Sequence, residues 1–460
     1  MTRRNTGLST QRFDGARVTV LGLGLHGGGI ETVRYLHRHG ARITVTDLRS
    51  EDVLRPSLDA IEGLAERIVL ERHDESDIAA SDFVVKNPAV PRSAPILRHA
   101  NQIRTDISLF FEHWNGPCIA VTGSKGKSSV SSMIHYALCN FDARARLGGN
   151  ITLSPLSFAD EITEDTPVVL ELSSFQLGDL NLVATTGAPV RFSPRVAVIT
   201  NIFKDHQDYY QGSMDAYVSD KERIFETMAP DGTLVLGSND SWATRFELRS
   251  SCRTVRAVQG DESGNDSGSS DPLELNRRIA CAALSEYGFD EAKTMPYIAT
   301  FTGIEHRFET VDEQNGVRII NDSAATVPEA SLAAARSCGF ETVLIAGGTD
   351  KRLDVTPFLE TAALVRHLVL LSGSATTRIQ TLLDESSIHY FGPFESLDEA
   401  YRCALSRAQD LRIRTILFSP GSASFELFQN EFDRGRQFKK LVAQYRDVLQ
   451  SRETSQRKQN

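Results

Sequence analysis

Short apolar runs recur along this chain, each closed by a glycine or acidic turn and followed by a stretch in which apolar residues return at helical spacing. The first run, 18–23, meets the glycines of GLGLHGGG; a helical stretch follows, and a second run, 43–46, ends at Asp47. Strand, helix and strand in that order predict a βαβ unit. Residues 82–91, DFVVKNPAVP, predict a strand ending in a proline-rich loop at the carboxyl edge of the same sheet. A second block opens near Asn115, with a buried strand over 118–121, a turn over 122–127, a helix over 128–138 and further strands at 168–172, 196–202 and 233–237. A third starts around Phe301, with strands at 317–322, 342–348, 367–373 and 415–421 between helical stretches.

The pattern predicts an α/β fold of three domains. They are an N-terminal Rossmann-like domain over 1–113, a central P-loop ATPase domain with a parallel sheet over 114–302, and a C-terminal Rossmann-like α/β domain over 303–460. Two stretches break the rhythm. Residues 261–271, DESGNDSGSSD, predict a flexible surface loop, and the polar tail after Leu449 predicts a frayed end.

Composition narrows the partners. At 460 residues the chain exceeds what one hydrophobic core supports. A formal charge of -10 argues against a protein that coats nucleic acid or anionic membrane. No apolar run approaches the roughly 18 to 20 residues of a membrane helix, and no apolar stretch follows the first arginines, so no secretory signal is expected. Six scattered cysteines without a CxxC pair suggest reduced thiols in a cytoplasmic setting, with neither a disulfide framework nor a zinc site. Small-molecule substrates remain, with no nucleic-acid or membrane partner.

The chemistry concentrates at strand ends. In AVTGSKGKSSV, residues 120–130, Gly123 and Gly126 let backbone N–H groups turn toward an anion, with Ser124, Lys125 and Ser129 in the same cradle. Lys127 would lie on the terminal phosphates and Ser128 would offer its hydroxyl to Mg²⁺. The turn is shorter than the usual phosphate loop, but it follows a strand and opens a helix, as that motif requires. In LELSSFQL, Glu171 ends an apolar strand beside this turn, well placed for Mg²⁺; alone it would read as a solvated strand-end acid. Ser173, Ser174 and Gln176 add polar donors for which a purely structural turn has no use. ITNIFKDHQDYY places Asp205, His206 and Asp208 after another buried strand, where His206 could ligate a metal through a neutral nitrogen, though a lone histidine is more often structural. Lys221 lies on an amphipathic stretch, where the default is a solvated surface lysine. Around the first turn, Gly22, Gly24 and Gly27 with Asp47 fit a dinucleotide fingerprint and a first reading of NAD, yet such a turn accepts any nucleotide diphosphate. Asp322, Lys351 and Ser424 each follow a strand of the third block, on the side where α/β sheets bind ligands.

Taken together, GLGL, TGSKGKS, GGNI, LELSSFQL, the lysine of SDKERIF, TGIEHRFE, NDSAAT, GGTDK, SPGSASF and FDRG resemble, over nearly the whole chain, the Mur ligases, ATP-dependent amino-acid-adding enzymes of peptidoglycan precursor synthesis. Within that family the resemblance is to members that add glutamate to UDP-N-acetylmuramoyl-L-alanine. It implies a central domain that binds ATP and a C-terminal domain that binds glutamate and closes over ATP. The substrate carboxylate would take the γ-phosphate as an acyl phosphate, which the amino group of glutamate then displaces. It also implies ATP, two Mg²⁺ ions and a monomer. Carried over by position, Leu25, His26, Asp47 and Arg49 become a UDP site, displacing the NAD reading, and Asn87, Asn150, Ser173 and Gln176 become substrate contacts. Ser128, Glu171, His206 and Lys221 become magnesium ligands, with Lys221 carbamylated by CO₂ rather than solvated. Lys127 joins Glu171, His206 and Lys221 as the catalytic set; Asn276, Arg307 and Asp322 become ATP contacts; Thr326, Lys351, Ser424 and Phe425 become the glutamate set.

The sequence departs from the family pattern at Ala324, where a lysine is usual, at Pro272-Leu273 in place of a His-Asn pair, and at Glu431, with Phe432 displaced by one. D- and L-glutamate both stay open, as do a folate-type relative sharing the central domain and a non-catalytic protein on a ligase scaffold.

Overall fold

The computed structural model describes residues 12–457 apart from His26, Ala143, 151–152, Pro189, Arg191, 207–208, 258–271, Thr302, Asn315, 351–352 and 409–411. The expectations for His26, Asp208, Lys351 and the loop 261–271 therefore lie outside the described residues. The chain divides by its contacts into two units, Met1–Phe301 and Thr302–Asn460.

The first unit holds two sheets. β1 (Arg17–Leu21), α1 (Gly28–Arg38), β2 (Arg42–Asp47), α2 (Glu51–Asp59), β3 (Arg67–Leu70), α3 (Glu75–Ala80), β4 (Phe83–Lys86), β5 (Ile103–Arg104) and α4 (Asp106–His113) run in that order. Their parallel strands are arranged β3-β2-β1-β4-β5. β1 is central, so the strand order reverses between β1 and β4, and a crevice opens at their carboxyl ends.

The second sheet is built from β6 (Cys118–Thr122), α5 (Lys127–Phe141), β7 (Arg146–Gly149), β8 (Val168–Glu171), α6 (Ser174–Thr185), β9 (Val196–Ile199), α7 (Met214–Glu226), β10 (Thr233–Leu236), α8 (Ser241–Arg249), β11 (Arg253–Arg256), α9 (Pro272–Tyr287) and α10 (Glu291–Thr300). Its parallel order is β11-β10-β9-β6-β8-β7. β6, β8 and β9 are buried throughout, which is why each reads as a continuous apolar run rather than an alternating one. The two sheets share one apolar core, running from Val18 and Tyr35 through Phe110 and Trp114 to Leu170 and Phe225. Polar contacts reinforce the junction: Asp160 binds Arg38 Nε at 2.9 Å and His39 Nε2 at 2.8 Å.

The second unit comprises β12 (Glu309–Gln314), β13 (Val317–Asn321), α11 (Pro328–Cys338), β14 (Thr342–Ala346), α12 (Pro357–Leu364), β15 (His367–Leu371), α13 (Ser374–Glu385), β16 (Phe391–Phe394), α14 (Leu397–Arg407), β17 (Thr415–Phe418) and α15 (Glu431–Arg457). The sheet order is β12-β13-β17-β14-β15-β16, with β12 antiparallel to β13 and the other pairs parallel. β12 escaped the sequence reading because Glu309–Gln314 is an edge strand with partly exposed polar residues and no apolar run. The frayed tail is corrected: helix continues to Arg457, where i to i-4 backbone bonds hold it despite its polar composition. Among the described residues no helix is long and apolar enough to cross a membrane.

Candidate active site

The loop between β6 and α5 is shaped by two glycines. Gly123 has φ 141° and Gly126 φ 81°, both left-handed. A Cβ on Gly123 would sit 1.9 Å from Thr200 Oγ1, and one on Gly126 2.7 Å from Asn276 Oδ1. Neighbouring segments pin the loop from outside: Ser124 N donates to Asn201 O at 2.8 Å, Lys125 N to Asn201 Oδ1 at 2.9 Å, and Thr200 Oγ1 to Lys125 O at 2.6 Å. Asn276 of α9 thus lies against the loop that the sequence had assigned to phosphate. Lys127 folds back and donates to Gly123 O and Ser124 O, both at 3.0 Å.

Lys221 is 1% exposed, so its α7 position is interior, as the family resemblance implied and the helical pattern alone did not. Its Nζ donates to Gly123 O at 2.8 Å and lies 4.7 Å from the centre of the Tyr217 ring. Burial, and then the charge of Lys127, hold the amine well below a lysine's ordinary range. A neutral amine has a free lone pair and is a nucleophile toward CO₂.

Glu171, 1% exposed, ends β8 opposite Val121 of β6. Asn150 Nδ2 donates to its Oε1 at 3.0 Å, while Oε2 is buried with no hydrogen-bond partner among the described residues. An orphaned carboxylate oxygen is costly unless something charged completes it. His206 adopts φ 51°, a left-handed conformation rare outside glycine, with its ring 4.8 Å from that of Phe175. Burial holds its imidazole below the usual range, with Lys221, Lys127 and Lys125 acting in the same direction, so a nitrogen lone pair is available. The Glu171 carboxylate and a serine hydroxyl are oxygen donors of the kind Mg²⁺ prefers, and the His206 imidazole is a borderline nitrogen donor.

Ser173 and Gln176 have structural work. Gln176 N donates to Ser173 Oγ at 3.2 Å and Ser173 N to Gln176 Oε1 at 3.1 Å, a reciprocal cap on α6. The expectation that a structural turn has no use for these donors is corrected.

At the first sheet, Gly22, Gly24 and Gly27 all have left-handed φ, at 90°, 69° and 83°. Asp47, 4% exposed, accepts from Gly24 N and Arg49 N, each at 3.0 Å. Asn87 stands across the crevice, with its Cβ 3.0 Å from where a Gly22 Cβ would be. Leu25 is partly exposed on the same turn.

In the second unit, Asp322 accepts from Ser419 Oγ at 2.7 Å and Phe308 N at 3.0 Å, and burial pushes its carboxyl up to about 6. Arg307, exposed, adjoins Phe308. Ser424 is 3% exposed and its Oγ has no hydrogen-bond partner among the described residues; Phe425 beside it is exposed, and Thr326 is half-buried. Ala324 N donates to His306 O at 2.9 Å.

Arg434, quoted in FDRG without a role, joins the two loops. Fully buried, it donates to Ser323 Oγ (3.0 Å), Ser323 O (2.8 Å), Ser422 O (3.0 Å) and Ala423 O (3.1 Å). Burial lowers its guanidinium to about 9. A lone arginine near the start of a helix gives no sequence signal of burial; the adjacent Gly435 packs closely against a different residue, since a Cβ there would lie 2.3 Å from His306 Cγ.

A glycine loop with a lysine between a buried strand and a helix, and acidic and imidazole groups at the neighbouring strand ends, is the architecture of P-loop α/β proteins. Three family models match in succession: the MurD-like N-terminal domain over 16–108, the Mur ligase middle domain over 121–281 and the Mur ligase glutamate ligase domain over 306–420. The chain belongs to the Mur ligase family. It is 38% identical over 452 residues to the UDP-N-acetylmuramoylalanine--D-glutamate ligase of Borreliella burgdorferi, covering 92% of this chain and 96% of that one. The protein of the same name from Treponema pallidum is 36% identical, with 94% and 98% covered. Among solved structures, the UDP-N-acetylmuramate-alanine ligase of Thermotoga maritima superposes with a TM-score of 0.53 at 17% identity, covering 94% of this chain and all of that one, a likeness of fold.

Proposed function

We propose that this protein is an ATP-dependent ligase that adds D-glutamate to UDP-N-acetylmuramoyl-L-alanine. The observation that carries the reading is the convergence of Lys127 and Lys221 on the Gly123 carbonyl, beside a Glu171 whose second carboxylate oxygen has no hydrogen-bond partner among the described residues. Two ammonium or amine groups crowding one acceptor suit a site whose natural occupant is strongly anionic. The D-glutamate assignment draws on the names of the relatives.

In this reading 1–113 bind the UDP moiety, with Asp47 and Arg49 on the ribose side of the glycine turn, Leu25 and Asn87 lining it, and His26 a further nucleotide contact by its place in the family motif. Within 114–302, the backbone N–H groups of 123–129 and Lys127 cradle the ATP phosphates, and Asn276 flanks the loop. Ser128, Glu171, His206 and a carbamylated Lys221 would hold Mg²⁺, two ions in this reading. Bound there, Mg²⁺ would neutralise charge on the transferring phosphoryl group. Lys221 in its neutral form takes up CO₂, its lone pair forming the N–C bond and its proton leaving to solvent, so that an amine becomes a carboxylate-like ligand. Asn150 orients Glu171, leaving Oε2 for the metal. Within 303–460, Arg307 and Asp322 contact ATP, while Thr326, Lys351, Ser424 and Phe425 hold glutamate; the Ser424 Oγ, without a partner among the described residues, fits a donor to a carboxylate. The substrate alanine carboxylate attacks the γ-phosphorus of ATP and ADP leaves; the glutamate amine then attacks the acyl phosphate, forming the amide as inorganic phosphate departs and the amine gives up a proton. The protein works as a monomer in the cytoplasm.

The test is phosphate release with ATP, Mg²⁺ and UDP-N-acetylmuramoyl-L-alanine, comparing D-glutamate, L-glutamate and neither. Release that requires D-glutamate supports the reading; release with L-glutamate alone reassigns the amino acid; silence with both, despite ATP binding, overturns it.

A further inference from the structure

The segment from Lys86 to Arg92, which carries Asn87, is tied at both ends to successive helices of the second sheet. At its start, Lys86 Nζ donates to Asp179 Oδ2 of α6 at 2.6 Å, both side chains fully excluded from solvent. At its end, Arg92 grips Asp220 of α7 with two parallel bonds, Nη1 to Oδ1 at 3.0 Å and Nη2 to Oδ2. Tyr210 OH donates to Asp220 Oδ2 at 2.8 Å, and Arg92 Nε to Tyr209 OH at 3.3 Å. Helix α6 approaches this pair at Gly178, where a Cβ would lie 2.5 Å from both Arg92 Nη1 and Asp220 Cγ. The glycine is what lets the pair sit between α6 and α7.

Asp220 directly precedes Lys221. Consecutive side chains on a helix diverge by about 100°, so α7 presents Asp220 to the substrate-side loop and Lys221 to the phosphate loop. Any rotation or sliding of α7 moves both. An ion pair packed between helices is a poor source of net stability, since desolvation offsets attraction, but this one holds register: the Asp220 side chain is 9% exposed and that of Arg92 27%, so a displaced pair leaves a buried carboxylate uncompensated. A bidentate guanidinium–carboxylate pair sets angle as well as distance.

We propose that Arg92 is a positioning residue for Lys221. Its pair with Asp220 sets the rotation and depth of α7 and thereby holds Lys221 Nζ at the Gly123 carbonyl, while Lys86–Asp179 fixes the other end of the same segment. The loop bearing Asn87 and the helix bearing Lys221 then form one body. This rests on the reading that Lys221 works in the reaction.

The test is a set of full-length variants, Arg92→Gln, Arg92→Lys, Asp220→Asn, Tyr210→Phe, Lys221→Ala and the double variant Arg92→Gln/Lys221→Ala, assayed for phosphate release with ATP, UDP-N-acetylmuramoyl-L-alanine and D-glutamate present. Melting temperature reports folding. Misplacing a reacting group by about 1 Å costs on the order of 100-fold. Arg92→Gln is therefore expected to lose kcat on that scale while KM for ATP stays within about twofold, and Arg92→Lys, which lacks the planar fork, recovers little. Tyr210→Phe, the mildest change, gives a smaller loss in the same direction and serves if Arg92→Gln does not fold. Because Arg92 acts through Lys221, adding Arg92→Gln to Lys221→Ala is expected to cost nothing further. An additive double variant, or a folded Arg92→Gln with wild-type kcat, overturns the proposal. Full turnover by Lys221→Ala would instead overturn the reading of Lys221, and this inference with it.

Discussion

Lys127 and Lys221 donate to one and the same oxygen, the carbonyl of Gly123, at 3.0 and 2.8 Å. They reach it from different helices, α5 and α7, and the carbonyl belongs to the residue that turns the phosphate loop. A bound triphosphate would draw Lys127 off this acceptor. Replacing Lys127 with Met is expected to lower kcat for phosphate release by about 100- to 1,000-fold. Thermal protection by UDP-N-acetylmuramoyl-L-alanine should persist, because the first sheet is untouched. Loss of that protection as well would show that Lys127 supports the fold rather than the phosphate.

Glu171→Gln keeps an acceptor for Asn150 Nδ2 and removes the charge. The Mg²⁺ concentration for half-maximal activity is expected to rise about 10- to 100-fold, the range seen when a metal's surroundings are altered. A magnesium titration checks this, and an unchanged midpoint would remove Glu171 from the metal set.

Gly123→Ala meets two obstacles at once, a left-handed φ and Thr200 Oγ1 at 1.9 Å. The loop must shift, so ATP binding measured by calorimetry is expected to weaken at least tenfold while the melting temperature changes little.

Asp322 supplies a pH dependence. Its carboxyl is raised from 3.8 to about 6 by burial, so the folded chain binds this proton more tightly than the unfolded one. Its contribution to stability is complete below about pH 4 and is lost as pH rises through 6. Measured against Asp322→Asn, the wild type should therefore lose up to about 3 kcal/mol of relative stability between pH 4 and 7. Parallel melting curves of the two proteins across that range would contradict the burial argument.

Much of this was legible in the sequence because buried parallel strands announce themselves. Residues 118–121 and 196–199 are apolar without a break, and the ligand loops follow them directly. Glu171, Asp322 and the glycine loop could be placed from that pattern alone. Lys221 could not, because a lysine on an amphipathic helix looks solvated until the phosphate loop is known to cover it. Arg92, Asp220 and Arg434 were equally hidden: each is charged and sits in polar company, and the Arg92–Asp220 pair finds room only because residue 178, elsewhere in the chain, is a glycine. β12 was missed for the opposite reason, being an edge strand whose polar residues are solvated as their sequence suggests.

Arg434→Lys is expected to destabilise the second unit by about 2 to 4 kcal/mol, because an ammonium cannot reach all four acceptors and leaves buried carbonyls unpaired. A shift of several degrees in the melting transition checks this.

That same side chain has a further consequence for motion. Ser323 and Ser422 are distant in sequence, yet both present a carbonyl to one guanidinium, which cannot leave one loop without losing its hold on the other. The two loops should therefore behave as a single foldon: in native-state hydrogen exchange, the amides of Ser323 and Ala423 should open with one shared free energy, the slow breathing of a hinge pinned at a single point.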